Sequence, residues 1–180
     1  MGNIVIFAGK DRIGKNVEVY FKEIPIVYEG KCISSGTLYI DEENDIMINF
    51  QIGLQTNEVN YIKIVDIHGI SNAFQRYYGT ILVSALFKFV QYIENELKIQ
   101  INLICGELNH DDKKRYLDLT NGRRRLVDFY KDVIRYLPED INKEVSVYFY
   151  KDKLAAPLNE NEFDEAYFFQ YVLETKRKRS

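Results

Sequence analysis

Tryptophan is absent from the chain, and cysteine, histidine and methionine occur only twice each and proline three times in 180 residues. Two cysteines, Cys32 and Cys105, make no disulfide framework, and with His110 and Glu107 out of ligand spacing they make no zinc-type site either. A reducing compartment is expected, without a bound metal. An excess of one charge is missing as well: 24 basic against 27 acidic residues leave a formal net charge of -3, so no global positive field exists to hold nucleic acid. No apolar run approaches the roughly 20 residues of a membrane span. Residues Met1 to Ile6 carry no charged segment ahead of a long apolar run, and Ile6 stands where a myristoylation signal needs Ser or Thr. These absences predict a soluble cytoplasmic protein. What is present, 46% hydrophobic and 28% charged residues, excludes disorder and is enough for one domain over 1–180 with a substantial core.

The first third is strand-like. Ile4 to Phe7, Val17 to Phe21, Gly36 to Ile40 and Ile46 to Ile52 are rich in Val, Ile, Tyr and Phe and are separated by Gly or Asn/Asp clusters. The third and fourth are joined by the polar stretch 41–45, of hairpin length. Tyr61 to His68 is long enough for a central strand, and strict alternation puts Ile62, Ile64, Asp66 and His68 on one face. From Gly79 to Leu97 the apolar residues Leu82, Leu86, Phe89, Ile93 and Leu97 recur at helical spacing. Ile101 to Cys105 reads as a strand, so strand, helix and strand predict a parallel crossover. Residues 106–121 read as a polar surface loop. Leu126, Phe129, Val133 and Leu137 mark a second helix, stopped near Pro138. Val145 to Tyr150 is a further strand and Ala155-Ala156-Pro157 a linker. A last helix over about Glu162 to Thr175 is expected from Phe163, Ala166, Tyr167, Phe169, Gln170 and Leu173, before a basic tail. There is no internal repeat.

Gly9-Lys10-Asp11-Arg12-Ile13-Gly14-Lys15-Asn16 matches a phosphate-binding P-loop except for Asn16, where Ser or Thr would bind magnesium. The motif also has to lead into a helix, whereas Val17 to Phe21 alternates like a strand. A glycine-bounded hairpin turn is the competing reading, and a P-loop nucleotide binder stands third among the functions considered.

Residues 36–150 resemble the GNAT superfamily of acyl-CoA-dependent N-acyltransferases. The resemblance rests on a hairpin, then the strand 61–68, then Phe74-Gln75-Arg76-Tyr77-Tyr78-Gly79-Thr80 leading into a crossover helix, a fifth strand, and a helix containing Phe129-Tyr130. In that family a glycine-rich Gln/Arg-x-x-Gly-x-Gly/Ala loop joins the fourth strand to the helix. Here Gly79 matches the final position with Phe74 and Tyr77 in the earlier ones, or Arg76 and Gly79 match the start with Ile81 at the end. The resemblance implies an α+β fold in which a mixed, mostly antiparallel sheet has one parallel crossover pair and helices on its faces. It frames 1–35 as a strand-rich extension in which no pair of amine-gripping helices is visible.

The implied activity is transfer of an acyl group from acetyl-CoA or another acyl-CoA to a small-molecule or protein amine. Coenzyme contacts fall on Ile67, Gly69, Arg76, Tyr77, Tyr78, Gly79 and Thr80, and on Arg123 of the run Arg123-Arg124-Arg125, where cations at a helix start invite an anion. Solvent, Asp118 or Asp128 offsets the same charge equally well. Tyr130 matches the tyrosine that protonates the departing thiolate, although Ile134-Arg135-Tyr136 replaces the family's Gly-aromatic ending. Its other reading is a core tyrosine. Asp66 and His68 are candidates to take a proton from the amine, or else a solvated strand-end pair. Cys105 reads as a buried small residue. The second function considered is a noncatalytic binding or assembly module of the same fold, with the aromatic C-terminal helix as a homodimer contact.

Overall fold

Buried Val17, Val19 and Phe21 alternate with exposed Asn16, Glu18 and Lys22, which is the pattern of a strand covered on one face. In the computed structural model, which describes residues 4–10, 14–22, 31–41, 46–55, 60–68, 78–108 and 119–176, this segment is one of eight strands. The elements are β1 (Ile4–Lys10), β2 (Asn16–Lys22), β3 (Lys31–Asp41), β4 (Ile46–Gln55), β5 (Tyr61–His68), α1 (Tyr78–Leu97), β6 (Leu103–Glu107), α2 (Leu119–Val133), β7 (Lys143–Tyr150) and β8 (Phe168–Thr175). The strands form one sheet in the order β1-β2-β3-β4-β5-β6-β8-β7. All neighbours are antiparallel except β5 and β6, which are parallel because α1 carries the chain across between them. The fold is therefore α+β, with a mixed and mostly antiparallel sheet.

Register gathers the apolar residues on one face, through Phe21 opposite Leu38, Leu38 opposite Ile48, Ile52 opposite Ile62, Ile62 opposite Ile104 and Ile104 opposite Tyr171. Helix α1 lies on this face. Phe89 packs against Phe21 and Phe50 with ring centroids 4.6 and 5.0 Å apart, and Phe87 meets Tyr171 edge-on at 5.3 Å. Helix α2 lies beside it, its Tyr130 stacked on Phe169. Helices were expected on both faces; both described α-helices occupy one, because every buried aromatic of the sheet that they touch belongs to the same register set. Lys98 takes the left-handed conformation (φ 56°) that ends α1. Below it, Lys143 and Glu94 form an ion pair of 3.0 Å, with the Lys143 side chain 4% exposed, and Glu94 also accepts the Ile101 N–H.

The C-terminal helix is not formed. Residues Glu160–Glu165 make a 3-10 helix with an Asn159/Glu162 capping box, and Phe168–Thr175 is strand β8. Burial of Phe169, Tyr171 and Leu173 with half-buried Phe168, Gln170 and Val172 is a period of two, and β8 fills the position between β6 and β7 with partners on both sides. The expected dimer helix therefore does not exist. The strand-rich stretch 1–35 contributes β1, β2 and the start of β3 to the same sheet.

At the P-loop-like motif, β1 and β2 pair antiparallel from Lys10 opposite Asn16, with Gly14 at φ +82°. Asn16 opens a strand rather than a helix, as the hairpin reading requires; residues 11–13 lie outside the described residues.

Candidate functional site: a fork between β5 and β6

Strand β5 is eight residues long, yet β6 pairs with it only from Tyr61 opposite Leu103 to Ile64 opposite Gly106. Beyond that point β6 stays with β8, through Glu107 opposite Phe168 and a 2.8 Å bond from the Leu108 N–H to the Tyr167 carbonyl. Among the described residues the β5–β6 ladder ends there, four residues before β5 does. Backbone N–H and C=O groups at a strand edge pair with an extended, amide-bearing ligand.

The fork coincides with a β-bulge. Phe50 of β4 pairs with Ile64 and its neighbour Asn49 pairs with Asp66, so Val65 is the extra residue, and its side chain is 54% exposed. A bulge bends and twists its strand, which turns β5 from β6 where the two part. It also overturns the expected alternation. Asp66 shares register with Asn49, on the face away from the helices, and not with Ile62 and Ile64; Ile67, opposite Ile48, returns to the helix side. Asp66 is exposed, beside an Asn49 whose Oδ1 accepts the Thr37 hydroxyl at 2.8 Å. His68 pairs with Met47, and its side chain lies outside the described residues.

On the helix side the closed end of the fork is filled. Phe169 is fully buried, and a Cβ placed on Gly106 would stand 2.7 Å from its ring and 3.2 Å from the Ile64 carbonyl oxygen. Tyr130 lies on the other side of that ring, with centroids 3.8 Å apart and planes 19° from parallel. Tyr130 is thus linked through Phe169 to the last β5–β6 pair, and it is 5% exposed, deeper than the edge position its helix spacing predicts. Burial pushes its hydroxyl well above the ordinary tyrosine range. It is a neutral hydrogen-bond donor at every working pH.

A crossover helix runs back against its strands, so α1 starts at the end of the sheet where β5 and β6 diverge. Its first turn contains Tyr78, Gly79 and Thr80 and no acidic residue, which leaves the positive end of the dipole for an anion. Tyr78 and Gly79 are buried and Thr80 half-buried. Gly69, Arg76 and Tyr77 lie outside the described residues, as does the Arg123 side chain. Arg124 is engaged elsewhere: it donates to the Glu160 carbonyl at 3.0 Å and, with Lys131, flanks the Phe163 ring. For that arginine, the 3-10 helix after β7 takes the place of an anion.

On the open face Lys63 and Glu107 form a 3.7 Å ion pair across the closed end, and the Cys105 thiol beside Lys63 is pushed up by burial. Cys105 is inert in that state. No three His, Cys, Asp or Glu side chains gather as a metal site among the described residues, and no helix there is long and apolar enough to cross a membrane.

Sequence reasoning missed Val65, Gly106, Phe169 and Tyr171 as parts of this place. A signal for the bulge was present. Ile62, Ile64 and Ile67 are spaced by two and then three, a phase slip that an uninterrupted strand cannot have. No family model matches the chain, and no curated protein matches it.

Proposed function

We propose that the chain is an acyl-CoA-dependent N-acyltransferase of the GNAT kind. The observation that carries the reading is the fork: among the described residues the parallel β5–β6 ladder ends at Ile64 opposite Gly106, next to the Val65 bulge, while β5 runs on to His68. The GNAT resemblance implies a sheet split between the fourth and fifth strands, with the pantetheine arm pairing along the fourth at Ile64 to Gly69. The arm carries secondary amides, which pair with the N–H and C=O groups of a strand edge. The first turn of α1 supplies backbone N–H groups for the phosphates.

In this reading the chain's residues divide the work by face. Tyr130, on the helix side, donates a hydrogen bond to the sulfur as negative charge develops on it. Full proton transfer is the weaker option, because a phenol titrates near ~10 and a thiol near ~8.5, so the transfer is uphill by about 2 kcal/mol before burial adds to it. Asp66, on the open face, receives the proton of the attacking amine directly or through water. His68 shares its strand end. The acceptor approaches the face that carries Asp66, Asn49 and Thr37.

A scan of melting temperature against acetyl-CoA tests binding, since a ligand held only by the folded chain raises stability by RT ln(1 + [L]/Kd). Thiol release from acetyl-CoA with a panel of primary amines tests transfer. No shift at millimolar acetyl-CoA sinks the assignment. A noncatalytic module of this fold is the second reading, favoured by Tyr77 standing where the family's first glycine is expected; a clear shift without thiol release selects it.

A further inference from the structure

We propose that Tyr171 and Phe169 are positioning residues that clamp Tyr130 at the closed end of the fork; the inference rests on the acyl-transfer reading above. Tyr171 is fully buried, and its hydroxyl donates to the Tyr130 carbonyl oxygen at 2.5 Å. That carbonyl belongs to the last turn of α2, where the helix passes into the 3-10 segment Ile134–Tyr136 and the i to i+4 ladder runs out. Tyr171 therefore fixes the backbone of residue 130 at the point where the helix alone holds it least.

Phe169 fixes the ring. It is stacked on Tyr130 at 3.8 Å, and its Cε1 and Cζ lie so close to Gly106 that a Cβ there would stand 2.7 and 3.0 Å from them. Phe87 closes on Tyr171 from α1 at 5.3 Å. Backbone and ring of Tyr130 are thus held by successive inward residues of β8, the strand that also pairs with the closed limb of the fork.

The hydroxyls of the two tyrosines are treated differently. Tyr171 gives its own to a carbonyl, whereas Tyr130, 5% exposed, has no hydrogen-bond partner for its hydroxyl among the described residues. Packing alone gives no reason to keep a buried phenol unsatisfied, since phenylalanine fills the same space without the desolvation cost. A buried donor held rigid, with no hydroxyl partner among the described residues, suits a group whose partner is a substrate atom.

The test uses the full chain carrying tyrosine labelled with carbon-13 at Cζ, with thiol release from acetyl-CoA in the presence of primary amines as the activity. Tyr171→Phe keeps the ring and removes the hydroxyl; Phe169→Leu keeps apolar volume and removes the stack, and serves if the first variant folds poorly. Each is expected to shift or broaden the Tyr130 Cζ signal without coenzyme present. Each is also expected to lower kcat by roughly 10-fold to 100-fold with the KM for acetyl-CoA within about twofold. Combined with Tyr130→Phe, neither lowers kcat further, since a positioning residue acts only through the group it positions. An unmoved Tyr130 signal overturns the clamp whatever the activity. A moved signal with unchanged kcat, or additive losses in the double variants, overturns the positioning role. Failure of the unaltered protein to bind acetyl-CoA overturns the reading beneath it and the role together, and the carbon-13 spectra then report separately on the clamp.

Discussion

Substituting alanine at two glycines of the sheet separates the rigid closed end of the fork from its soft surroundings. At Gly106 the added Cβ meets Phe169 Cε1 at 2.7 Å, Phe169 Cζ at 3.0 Å and the Ile64 carbonyl oxygen at 3.2 Å. At Gly53 the nominal collision is worse, 2.3 Å to both Cε1 and Cζ of Tyr61. Neither glycine has a positive φ, so alanine brings no backbone strain at either. The neighbours differ in freedom. Tyr61 is half-buried on the open face and swings its ring outward. Phe169 is fully buried between Tyr130 and Gly106, and the Ile64 carbonyl is part of the β-ladder. Overpacking a site that cannot yield costs about 1–3 kcal/mol, from which roughly 0.5–1 kcal/mol is regained by restricting the unfolded chain. Gly106→Ala is therefore expected to lose up to about 2.5 kcal/mol, or a melting temperature lower by up to about 10 °C for a chain of this size. Gly53→Ala is expected to fall within about 0.5 kcal/mol of the parent. Urea unfolding of both variants with a common m-value decides it. If Gly53→Ala is the more damaging, contact distance outweighs freedom and the rigid-stack argument is wrong.

The buried pair of Lys143 and Glu94 gives a second prediction: Lys143→Met strands a carboxylate that is 17% exposed and costs about 3–5 kcal/mol, while adding Glu94→Gln recovers much of it, as a two-variant cycle of urea midpoints would show. Alkaline pH gives a third. Burial raises both Tyr130 and Tyr171 in the folded chain, so their contribution to stability is fully present below the unfolded value near ~10 and is lost as pH rises from there toward the folded values. Melting temperatures should be flat in this respect to about pH 9.5 and fall above it, less steeply in Tyr171→Phe; an unchanged slope in that variant contradicts the burial argument. Asp66→Asn should leave stability within about 0.5 kcal/mol, because the side chain is exposed, but lower amine acylation by about 10²-fold or more. Full activity in that variant removes Asp66 from the proton path.

What was legible in the chain follows from how local each signal is. Helix α1 was plain because its buried positions repeat over twenty residues, and a long amphipathic period has no strand counterpart. The β3–β4 hairpin was plain because the polar stretch between its strands has hairpin length. Strand β8 was misread because Phe163, Ala166, Phe169 and Leu173 fit a 3.6 period, while Phe169, Tyr171 and Leu173 fit a period of two equally well. The tie is broken by vacancy: the sheet needs a strand between β6 and β7, and only tertiary structure states that need. Of the site, Tyr130 and Asp66 could be named from one dimension. Gly106, Phe169 and Tyr171 could not, since their significance lies in which partner each meets across strands.

The bulge at Val65 shows why the face of Asp66 is not legible from strict alternation. Without an inserted residue, Asp66 would follow Ile62 and Ile64 onto the helix face, where its carboxylate would have to be buried beneath α1 at high cost. One extra residue turns Asp66 out to the open face and returns Ile67 to the core opposite Ile48, so the slip from a spacing of two to a spacing of three is the least change that satisfies both. The same insertion bends β5 where β6 leaves it, so the parting of the strands and the exposure of Asp66 are one event. Deleting Val65 should then close the fork and bury Asp66 together. It is expected to destabilise the chain by more than about 2 kcal/mol at neutral pH, and combining the deletion with Asp66→Leu should restore stability without acetyl-CoA binding. A deletion variant that kept both its stability and its affinity for acetyl-CoA would show that the bulge neither places Asp66 nor opens the sheet.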